Sequence, residues 1–178
     1  MNNRLTILGK GASWSKCPFD GTETWAAATC LVTPGMTDKH YDKVFAVDSG
    51  EIQIVKDCIA IAKERGIPLV STKSYATEPY PLHEVSQDFQ STYLHNTVSY
   101  MLALAVHQGY SKLMLYGVDQ EDAGYSCLKP AVILWLGIAT GRGIQCTVNG
   151  SDVSRYVWKM VRDITEGRLA TGQEEPKK

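Results

Sequence analysis

Short apolar runs alternate with longer stretches of helical spacing along most of the chain. Strands are predicted over 5–8, 44–47, 69–70, 112–116 and 144–148. The stretch 25–32 fits either a strand or a strand that enters a helix, because periodicity does not separate the two. Strands that alternate with helices are typical of βαβ units. The pattern therefore predicts an α/β fold with a mostly parallel sheet flanked by helices.

Helices are predicted where apolar residues recur every three or four positions, over 51–65, 97–108, 131–140 and 151–169. The first helix places four apolar residues on one face: Ile52, Val55, Ile59 and Ala62. Ser151 is the predicted N-cap of the last helix. Residues 72–92 contain two prolines and many polar residues, which predicts a long loop with a short helix. We expect one Rossmann-like domain over 1–170 and a disordered tail over 171–178.

Composition narrows the class of protein without naming a ligand. The 178 residues are 44% hydrophobic and 21% charged, with a formal net charge of −1, as in ordinary globular proteins. This balance gives no strong signal for nucleic-acid binding. The five cysteines are scattered and have no metal-ligand spacing, so free thiols and a cytoplasmic location are expected. No membrane association, metal or cofactor is predicted, and a homo-oligomer is left open.

A polar turn follows the first predicted strand. It contains Gly9, Lys10, Gly11 and Ser13. In a parallel sheet, ligands gather outside the carboxyl ends of the strands. The two glycines allow close approach to a phosphate, the lysine neutralises it and the hydroxyl donates a hydrogen bond. The alternative is a plain tight turn, since the pattern is neither GxGxxG nor a Walker A loop.

Two later strands also end in polar turns. Asp48 and Ser49 follow the strand over 44–47. Asp48 either receives a ribose hydroxyl or caps the next helix, and the cap is favoured. Tyr116 and Gly117 end another strand, and Asp119 comes just beyond them. This carboxylate is a candidate to orient a hydroxyl, bind a cation or act as a base; satisfaction by backbone amides is the alternative.

The start of the helix over 97–108 is the fourth candidate element. His95, Asn96 and Thr97 place three polar side chains there, where an anion is held favourably by the helix N-terminus. The alternative is ordinary capping by Asn96 or Thr97. Nucleophile motifs such as GxSxG are missing. The acidic residues of 119–122 are interpreted as a solvated loop in preference to a cation site.

Two stretches of the sequence resemble a known superfamily. They are GKGASW near the start and HNTVSYMLALAVHQGYSKLMLYGVD in the middle. The superfamily includes bacterial sialyltransferases that use CMP-sialic acid, 6-hydroxymethylpterin diphosphokinase MptE-like proteins and small bacteriophage-type proteins. The phage-type proteins are the most similar, because they share a Y…P…WLG-x-A-x-GRGI pattern, here at Tyr125, Pro130, 135–137 and 141–144.

The resemblance implies a Rossmann-like fold that binds a nucleotide or a nucleotide-linked donor. The turn over 9–13 would then lie at the phosphate or nucleotide. Asn96 and Thr97 fall where the sialyltransferases present a Thr-Ser pair to the nucleotide. Tyr125 lies in the loop where those enzymes place a tyrosine on the leaving phosphate. The sequence departs from the superfamily in two respects: Ala12 stands in place of a proline, and the general-base histidine of the sialyltransferases is not found. The resemblance therefore implies the fold and the ligand class more strongly than it implies the reaction.

Three functional hypotheses follow. The first is a glycosyltransferase-like enzyme acting on a nucleotide sugar, in which Tyr125 and the turn over 95–97 stabilise the departing phosphate and Asp119 is the base. The second is a phage-encoded protein of the host cytoplasm that binds a nucleotide or nucleotide-derived signal without chemistry, favoured by the missing histidine and a short lid. The third, less favoured, is a phosphotransferase on a nucleoside or pterin, with magnesium at 119–122.

Overall fold

One eight-stranded sheet forms the centre of the computed structural model, which describes residues 3–118, 129–155 and 157. The strands are β1 (Arg4–Leu8), β2 (Thr24–Ala27), β3 (Lys43–Phe45), β4 (Leu69–Ser71), β5 (Glu78–Pro79), β6 (Lys112–Tyr116), β7 (Gln145–Val148) and β8 (Ser151–Asp152). Their order in the sheet is β5-β4-β3-β2-β1-β6-β7-β8. Every neighbouring pair is parallel except β7 and β8. The predicted α/β fold with a mostly parallel sheet is confirmed.

Helices connect most of the parallel strands. They are α1 (Gln53–Glu64), α2 (Leu82–Phe89), α3 (Thr97–His107) and α4 (Lys129–Gly141), with 3₁₀ helices at Ala12–Lys16 and Ala28–Val32. The ambiguous stretch 25–32 is thus a strand that enters a helix. The short helix predicted within 72–92 is α2. Strand β5 lies in the same stretch and was not predicted, because two residues are too few to show a period.

Both faces of the sheet are buried, as a parallel sheet requires. Leu5 and Ile7 of β1 point into one core cluster together with α2, α3 and α4. Leu8 points into a second cluster, which includes α1 and the 3₁₀ helix Ala28–Val32. Helix α3 is buried on nearly all sides, since it packs against β1 and β2 on one side and against α4 on the other.

The predicted apolar face of α1 is partly wrong. The buried residues of the helix are Val55, Cys58 and Ala62. Ile52 is 48% exposed because it is the N-cap and precedes the first helical turn. Ile59 is only partly buried. Ile59 still packs against the core cluster that holds Cys58 and Ala62, so the helix faces the Ala28–Val32 segment with a stripe that differs from the predicted one mainly at Ile52 and Cys58.

The predicted N-cap at Ser151 is also wrong. Ser151 belongs to β8, which pairs antiparallel with β7. Asn149 and Gly150 have φ angles of 55° and 77°, and this left-handed pair turns the chain back onto the sheet. Helical residues begin at 153, and the Oδ1 atom of Asp152 accepts a hydrogen bond from the Ser154 N–H at 2.8 Å. The carboxylate of Asp152 is thus the group that caps this helix start.

The connection from β5 to β6 reverses the direction in which strands are added. Strands β2 to β5 extend the sheet on one side of β1, and α3 then carries the chain back so that β6 pairs with the other side. Tyr110, just after α3, donates from its hydroxyl to the Glu23 carboxylate in front of β2 at 2.7 Å. The end of α3 therefore lies at the amino edge of the sheet. Its 11 residues span about 16 Å, which places its start at the carboxyl edge.

The described cysteines are free, as predicted. They are buried thiols at Cys17, Cys30, Cys58 and Cys146. Burial raises the pKa of Cys30 to about 12 and those of Cys58 and Cys146 to about 11. Cys127, the predicted helix beyond 157 and the predicted tail over 171–178 lie outside the described residues. None of the helices described here is long and apolar enough to cross a membrane.

Candidate functional site

The turns that follow β1 and β6 touch each other through their backbones. A Cβ atom on Gly9 would collide with the carbonyl oxygen of Gly117, and one on Gly117 with that of Gly9. Gly117 also has a φ of +64°. The Gly9 N–H donates to the Tyr116 carbonyl at 2.9 Å and the Gly11 N–H to the Gly117 carbonyl at 2.8 Å. Two amides of the predicted phosphate turn therefore hold β6.

Ser13 ties three turns together. Its buried hydroxyl donates to Asn149 Oδ1 at 2.6 Å and accepts from the Gly117 N–H at 3.0 Å. These contacts join the turns after β1, β6 and β7. The hydroxyl that was predicted to donate a hydrogen bond to a ligand thus donates it to Asn149. Sequence reasoning missed Asn149, for which the Asn-Gly pair at 149–150 was the available signal.

Lys10 brings positive charge to the same turn. Its side chain is exposed at the carboxyl edge, next to the backbone contact between Gly9 and Gly117. Lys73 is likewise exposed, two residues beyond β4. The edge therefore carries two ammonium groups that can attract an anionic ligand.

The turn after β3 exposes Asp48 and Ser49. The favoured interpretation of Asp48 as a helix cap is wrong, because the N-cap of α1 is Ile52 and makes no side-chain cap bond. The Ser49 hydroxyl accepts from the Glu51 N–H at 3.3 Å. Asp48 thus lies exposed at the carboxyl edge of the sheet. Its binding of a ribose hydroxyl remains a prediction.

Tyr75 holds this turn in place through its hydroxyl and its ring. Its hydroxyl lies 2.7 Å from the Asp48 carbonyl and 3.2 Å from the Ala46 carbonyl, so one proton is shared between them. The ring packs against Gly50, where a Cβ atom would lie 2.8 Å from the Cδ1 atom. No sequence motif marked Tyr75, since it comes from the irregular stretch between β4 and β5.

The start of α3 is held by a capping box. Asn96 Oδ1 accepts from the Ser99 N–H at 2.8 Å, and the Ser99 hydroxyl lies 3.2 Å from the Asn96 N–H. The capping alternative is therefore confirmed for Asn96, which is only 8% exposed. Thr97 is half-buried in the first turn, and His95 is exposed in front of the cap.

The remaining predicted site residues fall into two groups. Tyr116 is 7% exposed and packs in the core cluster of the α1 side, where burial raises the pKa of its hydroxyl. Its side chain offers little surface to a ligand. Asp119 and Tyr125, the two candidate catalytic residues, lie outside the described residues, as does the acidic loop over 119–122.

The carboxyl edge brings together the turns at 9–13, 48–49 and 117 with the start of α3. The turn after β3 lies two strands from β1, a separation of about 10 Å, which suits a ligand with several parts. Within the described ranges, no group of three His, Cys, Asp or Glu side chains is placed to hold a metal ion. The arrangement is suited to binding an extended, anionic small molecule at the point where the strand order reverses.

Comparisons with known proteins show a likeness at the level of the fold. No protein-family model and no curated protein matches the chain. Among solved structures it is similar to the sialyltransferase CstII from Campylobacter jejuni, described as in complex with a substrate analogue, cytidine-5'-monophosphate. The two share 16% identity over 82% of this chain and 79% of that chain, with a TM-score of 0.58. This likeness confirms a sialyltransferase-like arrangement of the fold.

Proposed function

We propose that the protein binds a nucleotide or nucleotide sugar across the β1–β6 switch point and acts as a glycosyltransferase-like enzyme. The observation that carries the proposal is the set of polar turns that meet at one edge where the strand order reverses. Open α/β sheets bind their ligands in this place. The fold likeness to a sialyltransferase described with cytidine-5'-monophosphate supports the nucleotide class.

Different residues of the edge have different parts in this proposal. Lys10 and Thr97 bind phosphate, by charge and by a hydroxyl near a helix N-terminus. The carboxylate of Asp48 accepts a hydrogen bond from a hydroxyl of the ribose or sugar. Asp119 acts as the base and Tyr125 stabilises the leaving phosphate, roles that rest on the sequence and its resemblance. Ser13 and Asn96 act indirectly, because they hold the turns that carry the other groups.

Single substitutions separate binding from capping at the start of α3. Thr97→Ala removes a hydroxyl that would donate to a phosphate, a bond worth about 1.5–3 kcal/mol, so the affinity for cytidine-5'-monophosphate should fall roughly tenfold or more. Thr97→Ser keeps the hydroxyl and should keep the affinity. Asn96→Ala removes the observed cap and should lower the free energy of unfolding by about 1 kcal/mol. Calorimetric titration and chemical denaturation measure the two effects.

The proposal fails on either of two results. If the wild-type protein binds none of the common nucleoside monophosphates or their sugar conjugates, the proposed nucleotide site is wrong. If wild type binds and Thr97→Ala binds with the same affinity, Thr97 is not part of the site. The proposed class of ligand would be unaffected by that result.

A second candidate is a protein that binds the nucleotide without chemistry. One observation favours it: several polar groups of the predicted site hold turns together within the protein. These groups are the Ser13 hydroxyl, the Asn96 amide oxygen and the Gly11 N–H. Incubation with a panel of nucleotide sugars, followed by mass spectrometry, distinguishes the two. Free nucleotide released in the presence of protein indicates transfer or hydrolysis, whereas intact ligand recovered from a tight complex indicates binding alone. Phage origin and a host-cytoplasm location stay predictions of the resemblance.

A further inference from the structure

Two aromatic rings lie exposed beside the start of α3. Tyr93 and His95 pack edge to face, with ring centroids 4.3 Å apart and planes inclined at 71°. Tyr93 is 40% exposed, and His95 is exposed as well. Neither ring belongs to the two core clusters of the described residues. The pair therefore presents aromatic surface outward.

The backbone under the pair is held in place from both sides. Leu94 packs against the core and Asn96 is buried, while Tyr93 and His95 are exposed. The indole N–H of the buried Trp135 donates to the Tyr93 carbonyl at 2.9 Å. The rings are thus carried on a backbone that α4 and the cap of α3 fix in position.

The position of the pair relates it to the candidate site. His95 directly precedes the Asn96 cap, and α3 starts at the carboxyl edge of the sheet. The edge offers charge at Lys10 and Lys73 but little flat apolar surface, since Tyr116 is buried and the ring of Tyr75 packs against Gly50. Among the aromatic side chains described at this edge, Tyr93 and His95 are more exposed than Trp14 and Tyr75, which are partly buried against the core cluster of the α1 side.

We propose that Tyr93 and His95 form the contact surface for the flat base of the bound nucleotide. The inference rests on the proposed function and adds which part of the ligand binds at this place. Proteins hold unpaired bases by stacking them on Tyr and His rings, because every base has a π face. The base lies against the pair, and the phosphate lies toward Lys10 and Thr97.

Two ligands and two variants test the assignment. Cytidine-5'-monophosphate carries a base, and ribose 5-phosphate carries the same sugar and phosphate without one. Tyr93→Ala should weaken binding of cytidine-5'-monophosphate by roughly tenfold or more and leave that of ribose 5-phosphate unchanged. Tyr93→Phe keeps the ring and should keep both affinities. Leu134→Ala is the matched control, since Leu134 is 41% exposed on α4 and lies outside the pair.

Each outcome decides a separate question. Unchanged affinity of Tyr93→Ala for cytidine-5'-monophosphate would overturn the base contact and leave the nucleotide site standing. An equal loss of affinity for both ligands would also overturn it, because the ring would then act on the sugar–phosphate part. A wild-type protein that binds neither ligand nor any other nucleoside monophosphate would overturn the proposed function, and this inference with it.

Discussion

Ser13 shows how one small side chain organises the edge of the sheet. Its partners Gly117 and Asn149 lie 104 and 136 residues further along the chain. A hydroxyl suits this place because it donates to one group and accepts from another. Alanine would remove the hydroxyl and leave the buried Gly117 N–H without this acceptor.

We predict that Ser13→Ala lowers the free energy of unfolding by about 1–3 kcal/mol, the cost of an unsatisfied buried polar group. Urea denaturation measures the change. Ser15→Ala is the control, since the exposed Ser15 hydroxyl makes only a 3.3 Å contact with the Ala12 carbonyl. Equal stability of both variants would show that the hydrogen bonds of Ser13 contribute nothing.

The same residue marks how far the sequence predicts the site. Gly9, Lys10 and Ser13 follow a strong apolar strand, so a turn at the carboxyl edge is predictable from local pattern. The role of Ser13 is not, because its partner Asn149 enters through a separate strand and a left-handed turn. Local pattern places a polar residue at an edge, and long-range contacts decide whether it faces a ligand or another turn.

Element by element, the length of an apolar run decided what was predictable. Strands β1 and β6 have five residues each, and α3 has 11, so each is long enough to be recognised as an apolar segment. Strands β5 and β8 have two residues each, and one of β5 is a proline. They form only because neighbouring strands already offer hydrogen-bonding partners. No pattern within such a segment indicates them.

Two glycine-to-alanine substitutions, at Gly117 and at Gly137, test the close contact between the turns after β1 and β6. Gly117→Ala should destabilise the fold by about 3 kcal/mol or more, because the Cβ atom would meet a carbonyl oxygen and the backbone is left-handed. Gly137→Ala, in the interior of α4 with nothing within 4 Å of the new atom, should stabilise it by about 0.5–1 kcal/mol. Thermal unfolding of both variants tests the pair, and a tolerated Gly117→Ala would contradict the observed backbone contact.

At the scale of the whole molecule, one carboxylate joins three helices. Asp88, near the end of α2, lies 3.0 Å from the Nδ1 atom of His107 at the end of α3. It also lies 3.1 Å from an Arg142 guanidinium nitrogen just past α4. Hydrogen bonds from Arg142 and then His107 lower the pKa of Asp88. The guanidinium of Arg142 also suits the negative end of α4.

We predict that this cluster makes stability depend on pH in the acid range. Because the folded-state pKa of Asp88 is lowered, its contribution is complete above the unfolded value of about 4 and is lost as the pH falls through the folded value. Asp88→Asn should therefore unfold at a lower temperature than wild type at pH 7. The corresponding loss in the free energy of unfolding should be less than about 1 kcal/mol. Melting temperatures measured from pH 7 to pH 2 should converge at the acid end. A constant gap across that range would show that the charge of Asp88 is not the cause.

The order of strands is the whole-molecule property that the sequence did not predict. The parallel strands other than β5 are similar short runs rich in apolar residues, so no local pattern indicates which two of them flank β1. The chain reverses direction because α3 is apolar on nearly all sides and must be covered by both the sheet and α4. With α3 packed against β1 and β2, β6 pairs with the other side of β1, and the turns at 9–13 and 117 come into contact.

The short outer strand β5 has a consequence for how copies of the protein meet in concentrated solution. Free strand edges are templates on which further chains add, which is a common route to aggregation. Pro79 has no N–H to donate, and Glu78 places a carboxylate beside it in the ion pair with Lys43. A neighbouring molecule would find almost no ladder to extend at this margin. The sheet is therefore protected against edge-to-edge growth at this margin.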